Sequence, residues 1–240
     1  MNLILLEAYQ CESPDGVITL DTRQSEHLRK VLKVAPGDTL KVGQVNGLIG
    51  TARVAASAEV VTLDQLMLNQ APPNILPLTL ILALPRPQMI KRILQTVACM
   101  GVERICLIQS SRVEKSFWQS PAATDNAIRE QLILGLEQGM ATQLPSVEKY
   151  QRLRPFVEDA LPELIQNKQG YIAHPGKHYA SCPSLPLSVA SVLAIGPEGG
   201  FSDKEVNWFS NGGLQPIQIG SRILKVETAV TALLARLYPA

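Results

Sequence analysis

Gly196-Pro197-Glu198-Gly199-Gly200-Phe201-Ser202 places three glycines, a proline and one carboxylate between the apolar run Val189 to Ile195 and a helical pattern. Gly196, Gly199 and Gly200 can take backbone angles closed to other residues and let a ligand approach the main chain, while Pro197 fixes one angle and removes a donor. The common phosphate loops do not fit. G-x-x-x-x-G-K-[ST] fails because Gly200 is followed by Phe201-Ser202, and G-x-G-x-x-G fails because position 198 is Glu. Glu198 would also meet a polyphosphate as a like charge, so a neutral or cationic ligand suits the loop better; the alternative is a tight strand-to-helix turn with no ligand. A second junction of the same kind, Gln218-Ile219-Gly220-Ser221-Arg222-Ile223-Leu224-Lys225-Val226-Glu227-Thr228-Ala229, comes about twenty residues later. Its polar groups Arg222 and Glu227 either face a shared pocket or form an ordinary surface ion pair.

Such loops need strands to end on and helices to begin from. Ser202 and Glu205 spell an S-x-x-E capping box, which predicts a helix from Asp203. From residue 72 onward the pattern alternates: strand Leu78 to Leu84, helix Gln88 to Met100, strand Arg104 to Gln109, helices near Ala122 to Gln138 and Pro155 to Gln166, strand Tyr171 to His174, then the two junctions. This alternation predicts an α/β fold with a mostly parallel sheet and helices on both faces. In such a sheet two neighbouring parallel strands bring their following loops to one edge. Val226, Val230, Leu233 and Leu237 form an apolar stripe that predicts core packing for the last helix, with a subunit interface as the weaker reading.

Residues 1–71 read differently. Val17 to Leu20, Thr39 to Val45, Leu48 to Val54 and Val60 to Leu68 are short strands, and Asn46-Gly47 predicts a type I′ hairpin turn. One helix, about Ser25 to Val34, interrupts them with Leu28, Val31 and Leu32 on one face. Pro72, Pro73 and Pro77 mark a linker, so the expected domains are 1–71 and 72–240. Composition adds limits. With 46% hydrophobic and 18% charged residues the chain is an ordinary globular one, and a net charge of +1 requires any nucleic-acid surface to be a local patch. Cys11, Cys99, Cys106 and Cys182 lack a C-x-x-C pair or disulfide framework. Met1 to Leu6 lacks the basic start of a signal peptide, and the strongest apolar run is closed by Pro77 and Pro85. A cytoplasmic protein with no membrane contact is expected. His174, His178 and Cys182 have no evident fourth ligand, and no metal is expected.

The paired signatures Ile195 to Ser202 and Ile219 to Ala229 resemble those of the ribosomal small-subunit RNA methyltransferase E family, of the SPOUT class. Ala173-His174-Pro175 is similar to that family's first cofactor loop, and His27-Leu28-Arg29-Lys30-Val31-Leu32-Lys33 with Pro36-Gly37-Asp38 to its N-terminal module. The resemblance implies a small PUA-like β-barrel domain for RNA, followed by an α/β domain with a C-terminal deep trefoil knot, acting as a homodimer. It implies that S-adenosyl-L-methionine binds against Ala173, His174, Ile195, Gly196, Pro197, Glu198, Gly199, Gly200, Gln218, Ile219, Gly220, Ile223 and Leu224. The implied reaction is methylation of N3 of a uridine in 16S ribosomal RNA of the small subunit.

On these residues, Arg222 is the candidate for stabilising a uridine anion, and Glu198 or Glu227 for accepting the N3 proton. Candidate RNA contacts are His27, Arg29, Lys30 and Lys33 on the helix, and Arg86 and Arg112 in a second basic group beside Phe117 and Trp118. The middle of the chain departs from the family, with Ser110-Ser111-Arg112-Val113 in place of a Ser-Glu-Arg-Ser type segment and only Glu137-Gln138-Gly139 kept of a longer motif. The alternative function is a catalytically idle knotted RNA-binding or ribosome-assembly protein.

Overall fold

The computed structural model describes residues 2–13, 16–176 and 178–239. The chain separates into two compact units, Met1–Asn74 with Ile133–Leu144, and Ile75–Leu132 with Pro145–Ala240.

The first unit is built on strands β1 (Ile4–Leu6), β2 (Ile18–Thr19), β3 (Thr39–Gln44), β4 (Ile49–Ser57) and β5 (Val61–Gln70), in the order β1-β3-β4-β5-β2. Pairing is antiparallel except between β1 and β3. Alternate residues face one core. Ile4 and Leu6 from one edge and Ile18 and Leu20 beside the other join Val42, Val54, Val61 and Leu63, so the sheet curls around a single cluster. The turn between β3 and β4 is not the expected type I′. Gly47 donates its N–H to the Gln44 carbonyl at 2.8 Å, making Val45 and Asn46 the central residues, and of Asn46 and Gly47 only Asn46 has positive φ, at 60°. The Asn46 side chain has a further role, accepting the Leu144 N–H at 2.8 Å.

The helix of this unit starts at Thr22, three residues earlier than its apolar face suggested, because Asp21 accepts the Gln24 N–H at 2.7 Å. It then widens into a π turn over Leu28–Leu32, where the Lys33 N–H donates to the Leu28 carbonyl and Lys33 ends the helix with φ 54°. One extra residue in the turn rotates the succeeding side chains off the buried face. Leu28 is therefore in the core, whereas Val31 is 63% and Leu32 50% exposed, against expectation.

Ile133–Leu144 lies beyond the expected 71/72 boundary yet packs within the first unit. Asn2 and Leu3 donate their N–H groups to the Glu137 carbonyl, each at 3.1 Å. The Glu137 carboxylate is buried and accepts Arg23 bidentately, at 2.8 and 3.1 Å, together with the Leu5 N–H at 3.4 Å. No proline or glycine cluster announces this return, because it is made inside a continuous helix, Asp125–Gly139.

The second unit holds β6 (Leu76–Ala83), β7 (Val102–Ile108), β8 (Ser146–Tyr150), β9 (Gln169–Ala173), β10 (Ala180–Ser181), β11 (Ser191–Ile195) and β12 (Gln215–Gln218). All are parallel, in the order β10-β12-β9-β11-β6-β7-β8. β11 is buried throughout, which is why it reads as a continuous apolar run. The edge strand β8 escaped the sequence reading because its Ser-Val-Glu-Lys-Tyr has little strand character; it is held by register with β7 from Arg104↔Ser146 to Ile108↔Tyr150. Helix Val226–Leu237 packs against helix Pro87–Cys99, and its stripe Val226, Val230, Leu233 and Leu237 is core, as are Leu234 and Tyr238. The Tyr238 hydroxyl donates to the Val189 carbonyl at 2.7 Å and lies 2.8 Å from the Ser191 hydroxyl. Burial pushes the Cys106 and Cys182 thiols up, to about 12 and about 11. No helix among the described residues is long and apolar enough to cross a membrane.

Arg23 and Glu137 differ in exposure, and this sets an expected asymmetry. Arg23→Ala leaves the carboxylate buried without its ion pair and should cost about 3 kcal/mol, whereas Glu137→Gln leaves a guanidinium that can turn to water and should cost about 1 to 2 kcal/mol. Urea denaturation of both variants measures the difference.

Candidate functional site

Parallel pairing carries the ends of β9, β11 and β12 to one edge of the sheet, with Ile195 level with Ala173 and Ile217 level with Ala173 across the neighbouring pair. Their three loops enclose a cavity of about 350 Å³. Ala173, His174 and Pro175 come from the first loop, and Ile195, Gly196, Pro197, Glu198, Gly199 and Gly200 from the second. The third supplies Gln218, Ile219, Gly220, Arg222, Ile223 and Leu224, and the apolar floor is Ile217, Val226, Ala229 and Leu233. A volume in the lower part of the small-molecule range, an apolar floor and a few converging polar groups suit a ligand the size of a nucleoside derivative.

The glycine loop is tight for a visible reason. A Cβ on Gly196 would fall 2.9 Å from the Phe201 nitrogen and 3.1 Å from the Gly200 carbonyl carbon, and Gly200 sits at φ 71°. The Gly200 N–H donates to the Pro197 carbonyl at 2.7 Å, closing the turn. The capping box forms as read: the Ser202 N–H donates to the Glu205 carboxylate at 2.8 Å, and the Glu205 N–H to the Ser202 hydroxyl at 3.4 Å. In the third loop Gln218 accepts the Gly220 N–H through its side chain at 2.5 Å, and Ile223 is left 85% exposed at the tip.

His174 is held by its backbone, the N–H donating to the Ile217 carbonyl at 2.9 Å. Its Nδ1 is buried with no hydrogen-bond partner among the described residues. Burial holds the imidazole pKa below its ordinary value and Arg112 adds to this, while Asp203 opposes it. His174 is thus neutral at pH 7. Among the described residues no group of three His, Cys, Asp or Glu side chains could hold a metal ion.

The remaining candidates are distributed unevenly. Arg222 and Glu198 are at the cavity, and a Glu198 oxygen accepts the Arg86 N–H at 3.2 Å, which places Arg86 beside the glycine loop. Glu227 does not line it. Val226, Ala229 and Leu233 form the helix face turned to the cavity, and Glu227 lies off that face at helical spacing. Arg112, read as an RNA contact, is exposed and also lines the cavity, with its guanidinium donating to the Gly199 carbonyl. On the helix of the first unit, Arg29 donates to the Glu59 carbonyl at 2.9 Å and Lys30 pairs with Glu26 at 3.1 Å. Lys33 is exposed, and His27 is half-buried with its pKa lowered mainly by desolvation. Phe117 and Trp118 are half-buried, and the Trp118 indole N–H donates to Gln109 at 2.6 Å. Sequence reasoning saw Glu205 only as a capping partner. It is in fact buried, and it also accepts the Ser111 N–H at 2.6 Å and the Ser111 hydroxyl at 3.1 Å. Nothing in the local pattern could have shown the second pair of bonds.

Fold and cavity together define an α/β protein with a loop-lined cavity at the carboxyl edge of a parallel sheet. The RNA methyltransferase domain family matches residues 72–238. The ribosomal RNA small subunit methyltransferase E of Treponema pallidum is 31% identical over 239 residues, covering 97% of this chain and 88% of the relative. The structure of the same-named enzyme from Neisseria gonorrhoeae, bound to S-adenosyl methionine, superimposes with a TM-score of 0.74 at 23% identity, covering 98% of this chain and 95% of that one. A Legionella pneumophila protein solved with the same cofactor bound gives 0.77 at 23% identity, covering 98% and 96%. The chain belongs to the ribosomal small-subunit RNA methyltransferase E family.

Gly196→Ala tests the tightness of the loop. Its methyl group meets backbone rather than a flexible side chain, so the variant should lose about 1 to 3 kcal/mol of stability. Chemical denaturation checks this; no left-handed φ strain is added, because Gly196 is not in that region.

Proposed function

We propose that the cavity binds S-adenosyl-L-methionine and that the protein transfers its methyl group to N3 of a uridine in 16S ribosomal RNA, acting as a homodimer on the small-subunit RNA or the small ribosomal subunit. The observation that carries this reading is the convergence of three loops, from residues far apart in the chain, on one cavity with an apolar floor. The SPOUT-type reading adds that the loops after β11 and β12 belong to a deep trefoil knot, and that the first unit is a PUA-like RNA-binding barrel; the family assignment supports the first and the curl of the sheet around one cluster the second. The family assignment, and an Ile223 side chain 85% exposed at the cavity rim, support a second copy of the chain covering that loop.

The residues present suit the reaction. Backbone groups of the glycine loop and of Gln218 to Gly220 can hydrogen-bond adenine and the amino-acid portion, and the apolar floor takes the flat face of the base. Glu198 is the carboxylate among the cavity's lining residues and would favour a bound sulfonium electrostatically. Bound, the cofactor supplies an electrophilic methyl group; the protein must align uridine N3 with it and manage one proton. Arg222 stabilises the uridine anion, and Glu198 is the better-placed proton acceptor, Glu227 lying off the cavity. The exposed cations Arg86 and Arg112 beside the cavity, and Arg29, Lys30 and Lys33 on the first unit, supply phosphate contacts, with half-buried His27 as a hydrogen-bonding neighbour.

Methylation of small-subunit RNA by the purified protein, with mapping of the modified base, tests this function. RNA binding without methyl incorporation would favour the idle RNA-binding protein instead. In the same assay Arg222→Ala should lower turnover about a hundredfold, with affinity for S-adenosylhomocysteine, read by calorimetry, changed little.

Neutral His174 predicts a pH signature. The imidazole is uncharged near neutrality, and its lowered pKa delays protonation to more acid pH than usual. Protonation then puts a cation in the cavity with the sulfonium. Affinity for S-adenosylmethionine should therefore be flat around neutrality and fall in acid, that for the uncharged S-adenosylhomocysteine should fall less, and His174→Asn should remove the difference.

A further inference from the structure

Glu205 is only 3% exposed, yet no cation is paired with it among the described residues. A capping carboxylate ordinarily sits at the surface, where water completes its hydrogen bonding; burying one is costly unless protein donors take over. Here they do. One oxygen accepts the Ser202 N–H at 2.8 Å and lies 3.0 Å from the Ser202 hydroxyl and 3.1 Å from that of Ser111, while the other accepts the Ser111 N–H at 2.6 Å. Ser202 closes the glycine loop after β11, and Ser111 belongs to the loop after β7, so a single carboxylate ties two loops that the chain separates by about ninety residues.

The tie has a second strand. Arg112 follows Ser111 directly, donates to the Gly199 carbonyl, and packs so closely that a Cβ on Gly199 would stand 3.0 Å from its Cδ. Arg112 itself is exposed and lines the cavity. A guanidinium has five donors in a rigid fork, and the Gly199 carbonyl occupies one side of it. An arginine held by Gly199 at its guanidinium and by the Ser111 tie at its backbone neighbour, with donors remaining at the cavity, is suited to an anionic group arriving from outside.

We infer that Glu205 is a positioning residue for the proposed methyl transfer: through Ser111 it holds Arg112 across the glycine loop, where Arg112 receives a phosphate of the RNA next to the target nucleotide. This rests on the methyltransferase reading and adds to it a buried residue that touches neither cofactor nor RNA. The alternative anion, the carboxylate of the cofactor's amino-acid portion, is separated from it by the test.

Glu205→Gln places an amide NH₂ against donors from Ser111 or Ser202 while keeping the shape. Glu205→Gln and Arg112→Ala should each lower kcat/KM for small-subunit RNA about tenfold, and the double variant should lose no more than either alone, since both remove one positioned group. Affinity for S-adenosylhomocysteine should change by less than about twofold in all three. Hydrogen exchange at the Ser111 amide, the donor in the 2.6 Å bond, should accelerate in Glu205→Gln and reports on the tie independently of activity. If Glu205→Gln does not fold, Ser111→Ala, which removes only the hydroxyl, should show the same loss in smaller degree and the same non-additivity with Arg112→Ala. Additive losses, unchanged RNA kinetics, or cofactor affinity falling in parallel with turnover would overturn the inference. A wild-type protein that methylates no RNA would overturn the methyltransferase reading first and this one with it, whereas an active wild type with additive losses would overturn this one alone.

Discussion

Parallel pairing of β9, β11 and β12 is the constraint on which the rest of the second unit depends. Strands running the same way end at the same edge, and three consecutive neighbours each leave a loop there. Because the order is β12-β9-β11 rather than the order of the chain, segments around residues 174, 197 and 220 meet although each is more than twenty residues from the next. Hydrogen bonding along buried strands leaves little freedom to slide, since a one-residue slip would turn every side chain to the opposite face. The cavity inherits its precision from that register, not from the loops themselves.

The glycine loop meets this demand by being stiff as well as open. Gly196 lies against the Gly200–Phe201 backbone, and the Ser202–Glu205 box fixes where the helix begins. Around the cavity the charges are few and each is placed differently. Glu198 is anchored to the Arg86 backbone and Arg112 to Gly199, while desolvation holds the His174 pKa below its ordinary value. Such an arrangement suits the proposed transfer of a methyl group from a sulfonium to RNA, with one carboxylate at the cavity and exposed cations near it.

Much of this was legible in residue order. The breaks into Gly196 to Ser202 and Gln218 to Ala229, the capping box and the stripe of the last helix all depend on near neighbours, and local chemistry decides them. What was hidden depends on distant partners. β8 is a strand because β7 supplies its hydrogen bonds, and Val31 and Leu32 are exposed because a π turn slips the helix face by one residue. Glu227 looked equivalent to Arg222 in sequence, but the helix that starts between them turns it away from the cavity. Arg112 is a surface cation, as its sequence suggests, but its place across Gly199 follows from the loop after β7.

By itself the sequence determined where strands break into glycine loops, which residues could cap or line a site, and that neither common phosphate loop was present. Backbone freedom, capping and helical or strand periodicity act over a few residues, so they are written locally. Only the tertiary structure decided that three loops form one cavity, that Ile133–Leu144 returns to the first unit through Glu137 and Arg23, and that Glu205 joins two loops from different strands. Those outcomes arise from strand order and burial, which bring together groups between which no local pattern exists.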